Sequence, residues 1–257
     1  MPKAAAGRVR TVLGKICIAV TLAAGLATPE AAQAETVHVA VAANFTGVAE
    51  QLAPLFKAET GHDVIYSFGA TGQLYTQITQ GAPFEVLLAA DDERPARAVS
   101  EGLGIEGSVF TYAIGALALY STTLDLGDGQ VILAAKAFDK IAIADPETAP
   151  YGRAAMQAIA ALGLTEALSG RLVTGGNISQ TLQFVDSGNA ELGLVAASQV
   201  AGKASVWLVP PEMYEPIRQD GVLLSAGQDN AAATAYLAFL RSEPAIAVIE
   251  AAGYRVE

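Results

Sequence analysis

Four short segments combine polar side chains with free backbone donors. Each has the same grammar: a strand-like run, a turn, then a helix-like run. They are Ala43-Asn44-Phe45, Gly69-Ala70-Thr71-Gly72, Ala149-Pro150-Tyr151-Gly152 and Gly176-Asn177-Ile178-Ser179. A strand-to-helix junction leaves backbone N–H groups unpaired and sets the positive end of a helix dipole beside them. Such a point attracts anions. The side chains add neutral donors: the Asn44 amide and the hydroxyls of Thr71, Tyr151 and Ser179. None of the four segments holds a lysine, and Arg153 is the one cation next to them. Donors without acceptors suit an anion that is fully ionised at working pH. A carboxylate or a protonated phosphate calls for an acceptor or an arginine fork as well. Taken singly, each segment has an ordinary reading: Asn44 as an N-cap, Thr71 as a turn stabiliser, Tyr151 as packing. Taken together, two in each half of the chain, they point to a two-lobed binder of an anion or another small molecule.

The elements that must position these segments alternate along the chain. Residues 37–43 read as a strand. Residues 46–60 read as a helix with Val48, Leu52, Leu55 and Phe56 at helical spacing, closed by Gly61. Strands over 62–68 and 84–90 follow, with helices over 73–80 and from 91 onward. This order predicts an α/β fold, a parallel sheet with crossover helices. Residues 110–120 form an apolar run long enough to pass from one lobe to another. A second set then comes: strands at 140–144, 171–174, 192–196 and 205–209, helices at 153–162 and 179–187. Residues 215–224 return the chain to the first lobe, and helices at 229–240 and 244–251 follow. The lobes are expected at 35–116 with 218–257, and at 117–217. Lobes joined by strands suit a hinge that closes on a ligand.

The N-terminus has the layout of a secretory signal. Lys3, Arg8, Arg10 and Lys15 precede an apolar stretch at 16–27, and Ala32-Gln33-Ala34 fits a small-x-small cleavage site. Residues 1–34 are thus expected to be a leader, and the mature protein to reach a bacterial periplasm. Cys17, the one cysteine, would leave with it. No disulfide and no thiolate metal site can then form. The formal net charge of −11 argues against nucleic acid or an anionic membrane surface as a partner. With 52% apolar residues the chain is a packed globule rather than a disordered one. A monomer is expected.

An enzyme is the main alternative class. His38 and His62 are the two histidines of the chain, and surface or packing roles are expected for both. No Gly-x-Ser-x-Gly, His-Glu-x-x-His or phosphate-loop motif is present. Asp91-Asp92 reads as a helix N-terminal cluster rather than a catalytic dyad. No His/Asp/Glu cluster has the spacing of a cation site. The residues alone therefore predict a binding protein without a cofactor.

A resemblance extends this reading. The runs Val-Ala-Ala-Asn-Phe (41–45), Glu-Thr-Gly-His-Asp-Val (59–64), Ser-Phe-Gly-Ala-Thr-Gly (67–72), Gly-Ala-Pro-Phe (81–84), Phe-Thr-Tyr-Ala-Ile-Gly (110–115), Ala-Pro-Tyr-Gly (149–152), Tyr-Glu-Pro-Ile (214–217) and Ala-Ala-Gly-Tyr (251–254) are similar, in order, to those of periplasmic molybdate-binding proteins. Ala-Asn-Phe and Ala-Pro-Tyr-Gly resemble the branch that carries Asn in its first ligand loop. The resemblance implies a type II periplasmic-binding-protein fold with molybdate or tungstate held between the lobes. It also implies delivery to an ABC-transporter membrane permease. Carried over by position, the ligand contacts are Ala43, Asn44, Thr71, the Tyr151 hydroxyl and the backbone N–H of Ile178. The chain departs from the pattern twice. Ala43 stands where a hydroxyl residue is often found, and Thr71 stands where Ser is common. The same fold with sulfate, phosphate or a small organic anion as ligand is the remaining alternative.

Overall fold

The computed structural model describes residues 34–257, together with Ala4, Ala6 and Gly7. The rest of the leader expected over 1–34 lies outside the described residues.

The strands are β1 (Thr36–Ala42), β2 (Asp63–Gly69), β3 (Val86–Leu88), β4 (Phe110–Gly115), β5 (Leu117–Tyr120), β6 (Ile141–Ala144), β7 (Leu172–Gly175), β8 (Leu192–Ala196), β9 (Val206–Leu208) and β10 (Ile217–Leu223). The helices are α1 (Thr46–Thr60), α2 (Thr71–Thr79), α3 (Glu93–Ser100), α4 (Gly129–Ala135), α5 (Pro150–Ala161), α6 (Thr165–Leu168), α7 (Ile178–Asp186), α8 (Ala231–Phe239) and α9 (Glu243–Ala251). The strands form two five-stranded sheets, ordered β2-β1-β3-β10-β4 and β7-β6-β8-β5-β9. Each sheet with its helices makes one lobe. The long apolar run at 110–120 breaks at Ala116, so that β4 joins the first sheet and β5 the second.

The expected α/β class holds, but both sheets are mixed rather than parallel. β1 pairs in parallel with β2 and β3, while β10 runs antiparallel between β3 and β4. In the second sheet β6 is parallel to β7 and β8, and β5 is antiparallel to β8 and β9. The reason lies in the connections. β5 and β10 enter their sheets from the other lobe, with no crossover helix to force a parallel direction.

Burial follows the period of two that strands impose. Val37, Val39 and Val41 face one core with Leu52 and Phe56 of α1, Tyr236 of α8 and Ile249 of α9. Ala40, Leu87 and Ala89 face the other side, against Leu74 and Ile78 of α2 and Ala98 of α3. In the second sheet Leu117, Leu119, Ile141 and Ile143 pack on Ala155, Ala158 and Ile159 of α5. Ala118, Tyr120 and Ala142 face Val185 of α7. Gly61 closes α1 at φ 78°, a conformation that a side chain resists. His38 is exposed, and the His62 Nδ1 accepts from the Glu35 N–H at 3.1 Å.

Three helices start earlier than their apolar spacing predicts. α2 begins at Thr71, α5 at Pro150 and α7 at Ile178. Pro150 at the first position has its φ preset for a helix and loses no hydrogen bond there. Asn177 caps α7 by accepting from the Gln180 N–H. Thr71, Tyr151 and Ile178 therefore stand in first helical turns, not in the turns before them. α4 and α6, of seven and four residues, are too short to show a helical apolar period; Asp128 caps α4 by accepting from the Gln130 and Val131 N–H groups.

Phe56 is fully buried, edge-on to Tyr236 at 5.1 Å and tilted against Phe239 at 5.6 Å. Phe56→Ala is expected to lower stability by about 3–5 kcal/mol. Urea unfolding reads this as a lower midpoint at unchanged slope. A loss below about 1 kcal/mol would contradict its place in this core.

Candidate functional site

β1 ends at Ala42, and the chain turns at once through a 3-10 turn, Ala43–Phe45, into α1. Phe45 anchors that turn. It is fully buried and meets the rings of Tyr112 at 4.9 Å and Tyr254 at 5.5 Å, both edge-on. β2 runs into α2 through Ala70, and Pro150 and Ile178 open α5 and α7. The four junctions meet around one small cavity of about 10 Å³. Its lining is Ala42, Ala43, Asn44, Gly69, Ala70, Thr71, Ala149, Pro150, Tyr151 and Ile178. All five residues expected from the sequence, Ala43, Asn44, Thr71, Tyr151 and Ile178, are in that set. Among the described residues, none that lines the cavity is charged.

The donors around it can be traced one by one. Thr71 Oγ1 accepts from the Ala90 N–H at 3.0 Å, which leaves its own proton to donate. The Tyr151 hydroxyl accepts from Gln219 Nε2 at 3.2 Å, with the same consequence. Burial drives the Tyr151 pKa well above its ordinary value, so the proton stays on the oxygen. The Ile178 N–H is the first of α7 and so has no intrahelical acceptor, and the Asn177 cap accepts from Gln180 instead.

Two side chains expected to donate into the cavity are engaged elsewhere. Asn44 Nδ2 donates to Gln219 Oε1 at 2.8 Å and to the Tyr254 hydroxyl at 2.9 Å. Its Oδ1 is buried without a partner. The Asn44 side-chain amide nitrogen is therefore not free to donate into the cavity. The Ser179 hydroxyl donates across the cleft to the Ala43 carbonyl at 3.0 Å and accepts from Gln199 Nε2. Both corrections have one cause: a buried donor takes the nearest fixed acceptor, and neighbours 136 to 210 residues away are invisible in a local motif.

Gln219, Tyr254, Ser198 and Tyr112 are the residues that sequence reading missed. Gln219 is fully buried on β10, and Ser198 Oγ donates to the Tyr254 hydroxyl at 2.9 Å. The one local signal is the polar run Arg218-Gln219-Asp220 inside a largely buried strand.

Arg153 does not serve the cavity. Its guanidinium donates to Glu93 at 3.3 Å and lies 3.8 Å from Asp91, both on the opposite lobe. Asp91 also pairs with Arg94 and accepts from its N–H at 3.1 Å. Burial raises the Asp91 pKa, and the two arginines pull it back. The pair Asp91-Asp92 thus belongs to a helix start and an ion cluster. Further bonds hold the cleft shut: Gly72 N–H to the Thr148 carbonyl at 2.8 Å, and Gln73 Nε2 to the Gly176 carbonyl at 3.2 Å. Among the described residues no group of three His, Cys, Asp or Glu is placed to hold a metal ion.

Asn44→Ala removes a donor from two buried acceptors. It is expected to cost the ligand-free protein about 1–3 kcal/mol. A melting curve of the ligand-free variant matching that of the parent protein would contradict this anchoring role.

A family model for bacterial extracellular solute-binding proteins matches residues 37–255. The molybdate-binding protein ModA of Rhodobacter capsulatus is 50% identical over 241 residues, 93% of this chain and 95% of that one. The ModA of Azotobacter vinelandii is 52% identical over 246 residues, 93% and 97% of the two chains. The solved periplasmic molybdate-binding protein of Azotobacter vinelandii superposes with a TM-score of 0.81 at 38% identity, covering 86% of this chain and 99% of that one. All three relatives are binding proteins rather than enzymes. On the extent of the family match and on these identities, the chain belongs to the bacterial extracellular solute-binding proteins, in the family of the molybdate-binding proteins.

Proposed function

We propose that this protein binds a fully ionised tetrahedral oxyanion, molybdate and with it tungstate, and delivers it to the membrane permease of an ABC importer. The observation that carries the reading is the cavity where four helix starts meet with the Thr71 and Tyr151 hydroxyls and no charged side chain. In this reading Ala43, Asn44 and Ile178 give backbone N–H groups, and Thr71 and Tyr151 give O–H groups. The names of the relatives support molybdate as the ligand. The protein acts as a monomer in the periplasm after loss of residues 1–34 and needs no cofactor. Its lobes are 35–116 with 218–257, and 117–217.

Selectivity follows from size. Sulfate has the charge and shape of molybdate but shorter bonds, so it cannot reach every donor at once. Each buried donor left unmet costs about 1–3 kcal/mol. Phosphate carries a proton at neutral pH, and no ionised carboxylate lines the cavity to accept it.

Thermal shift and calorimetry of residues 35–257 against molybdate, tungstate, sulfate and phosphate test the proposal. Strong stabilisation by the first two alone is expected; an equal response to sulfate, or none to any oxyanion, would overturn it. Tyr151→Phe is expected to weaken molybdate binding by about 1–3 kcal/mol, roughly fivefold to 150-fold. Parental affinity in that variant would remove Tyr151 from the contact set.

A further inference from the structure

We infer that Gln219 is a positioning residue that makes the Tyr151 hydroxyl a donor toward the bound oxyanion, through a directed chain of hydrogen bonds that crosses the cleft. The inference rests on the oxyanion reading above. The chain starts at Tyr254. Its hydroxyl donates its one proton to the Asn44 carbonyl at 2.9 Å. Toward the Asn44 side chain and toward Ser198 it can then only accept. The Asn44 carboxamide must therefore turn its NH2 to Tyr254, and the same nitrogen donates to Gln219 Oε1 at 2.8 Å. Tyr112, whose hydroxyl donates to the Ala89 carbonyl at 2.9 Å, also reaches that Oε1 at 3.2 Å. With its oxygen so fixed, Gln219 presents Nε2 to the Tyr151 hydroxyl at 3.2 Å. Tyr151 becomes the acceptor there and keeps its proton for the cavity.

Two further observations agree. Gln219 is fully buried on a strand of the first sheet, yet it bonds both Asn44 and Tyr151, which stand on opposite sides of the cavity. The backbone also makes room for the contact. A Cβ on Gly115 would lie 2.1 Å from the Tyr151 hydroxyl oxygen and 2.6 Å from Gln219 Nε2. Glycine at 115 is what lets the amide and the phenol meet. A glutamine suits the task because it offers an oxygen to one lobe and an NH2 to the other. Leucine offers neither, and an ionised glutamate offers acceptors alone.

The groups that titrate around Gln219 are the hydroxyls of Tyr112, Tyr151 and Tyr254 and the carboxyls of Asp220 and Asp91. Burial raises all five, Tyr254 to about 12. Thr111 Oγ1 donates to Asp220, Arg218 acts on Asp220, and Arg94 and Arg153 act on Asp91. A parental profile measured alongside carries any contribution these groups make.

The test is a double-mutant cycle on molybdate affinity, by calorimetry on the full mature chain, with ligand-free melting curves for each variant. Gln219→Leu is expected to weaken binding about tenfold or more alone. In the Tyr151→Phe background the same change is expected to cost under about twofold, because the proton it misdirects is already gone. Gln219→Glu adds a pH profile. It is expected to bind weakly near pH 8, where the carboxylate captures the Tyr151 proton, and to regain affinity toward pH 6 as the carboxyl gains a proton to donate. The parent protein is expected to stay level over that range. Where Gln219→Leu does not fold, Gly115→Ala replaces it in the cycle, since it separates the same two groups from behind. Equal cost in both backgrounds, or a level profile for Gln219→Glu, would overturn the relay while leaving the oxyanion reading intact. Absence of oxyanion binding by the parent protein would overturn both.

Discussion

The starts of four helices, aimed at one buried point that no charged side chain reaches, set the terms for the rest of the molecule. Each start brings partial positive charge from N–H groups that have no partner inside their helix. Such groups are fixed by the backbone, so they cost no side-chain entropy and cannot swing to follow a smaller anion. Fixed donors need rigid support, and the two sheets supply it. β1 and β2 carry two of the junctions, and β6 and β7 stand behind the other two. An acidic protein of formal charge −11 can attract an oxyanion in this way because dipoles act over the first turn of a helix, inside the range where the distant charges are screened.

The lobes meet through neutral bonds near the cavity and ion pairs farther out. Ser179 to Ala43, Gly72 to Thr148 and Gln219 to Tyr151 are short-reach contacts that form when the cleft is shut. Arg153 reaches the carboxylates of Glu93 and Asp91 from the opposite side. The division has a physical logic. A guanidinium inside the cavity would bind any anion of the right charge, whereas neutral donors distinguish by position. Placed at the rim and answered by carboxylates, Arg153 ties the lobes together without lowering that selectivity.

Much of this was legible in the sequence, and what was hidden was hidden for one reason. The strand-turn-helix grammar located all four junctions, because glycine, proline and asparagine mark helix starts through their own backbone preferences. The apolar spacing located α1, β8 and the return strand β10 closely. It placed α2, α5 and α7 late, because the turn-forming residues before them, Gly69-Ala70, Ala149-Pro150 and Gly176-Asn177, mask where each first helical turn begins. The antiparallel entry of β5 and β10 follows from which lobe the chain arrives from, a tertiary fact. Asn44 lines the cavity, but its amide nitrogen is not free. Its amide is claimed by Gln219 and Tyr254, 175 and 210 residues away. Gln219 itself had only the weak signal of polarity within a buried strand. Local rules find the residues that line the cavity; they do not find the distant residues that bond to them.

The most direct test of the central claim is an anomalous difference map from a crystal of the mature protein grown with molybdate and collected at the molybdenum edge. The account predicts one strong peak in the cavity, with oxyanion oxygens within hydrogen-bond distance of the Thr71 and Tyr151 hydroxyls and the Ile178 N–H, and no arginine or lysine in contact. A peak elsewhere, or an anion in this cavity held by a charged side chain, would contradict it.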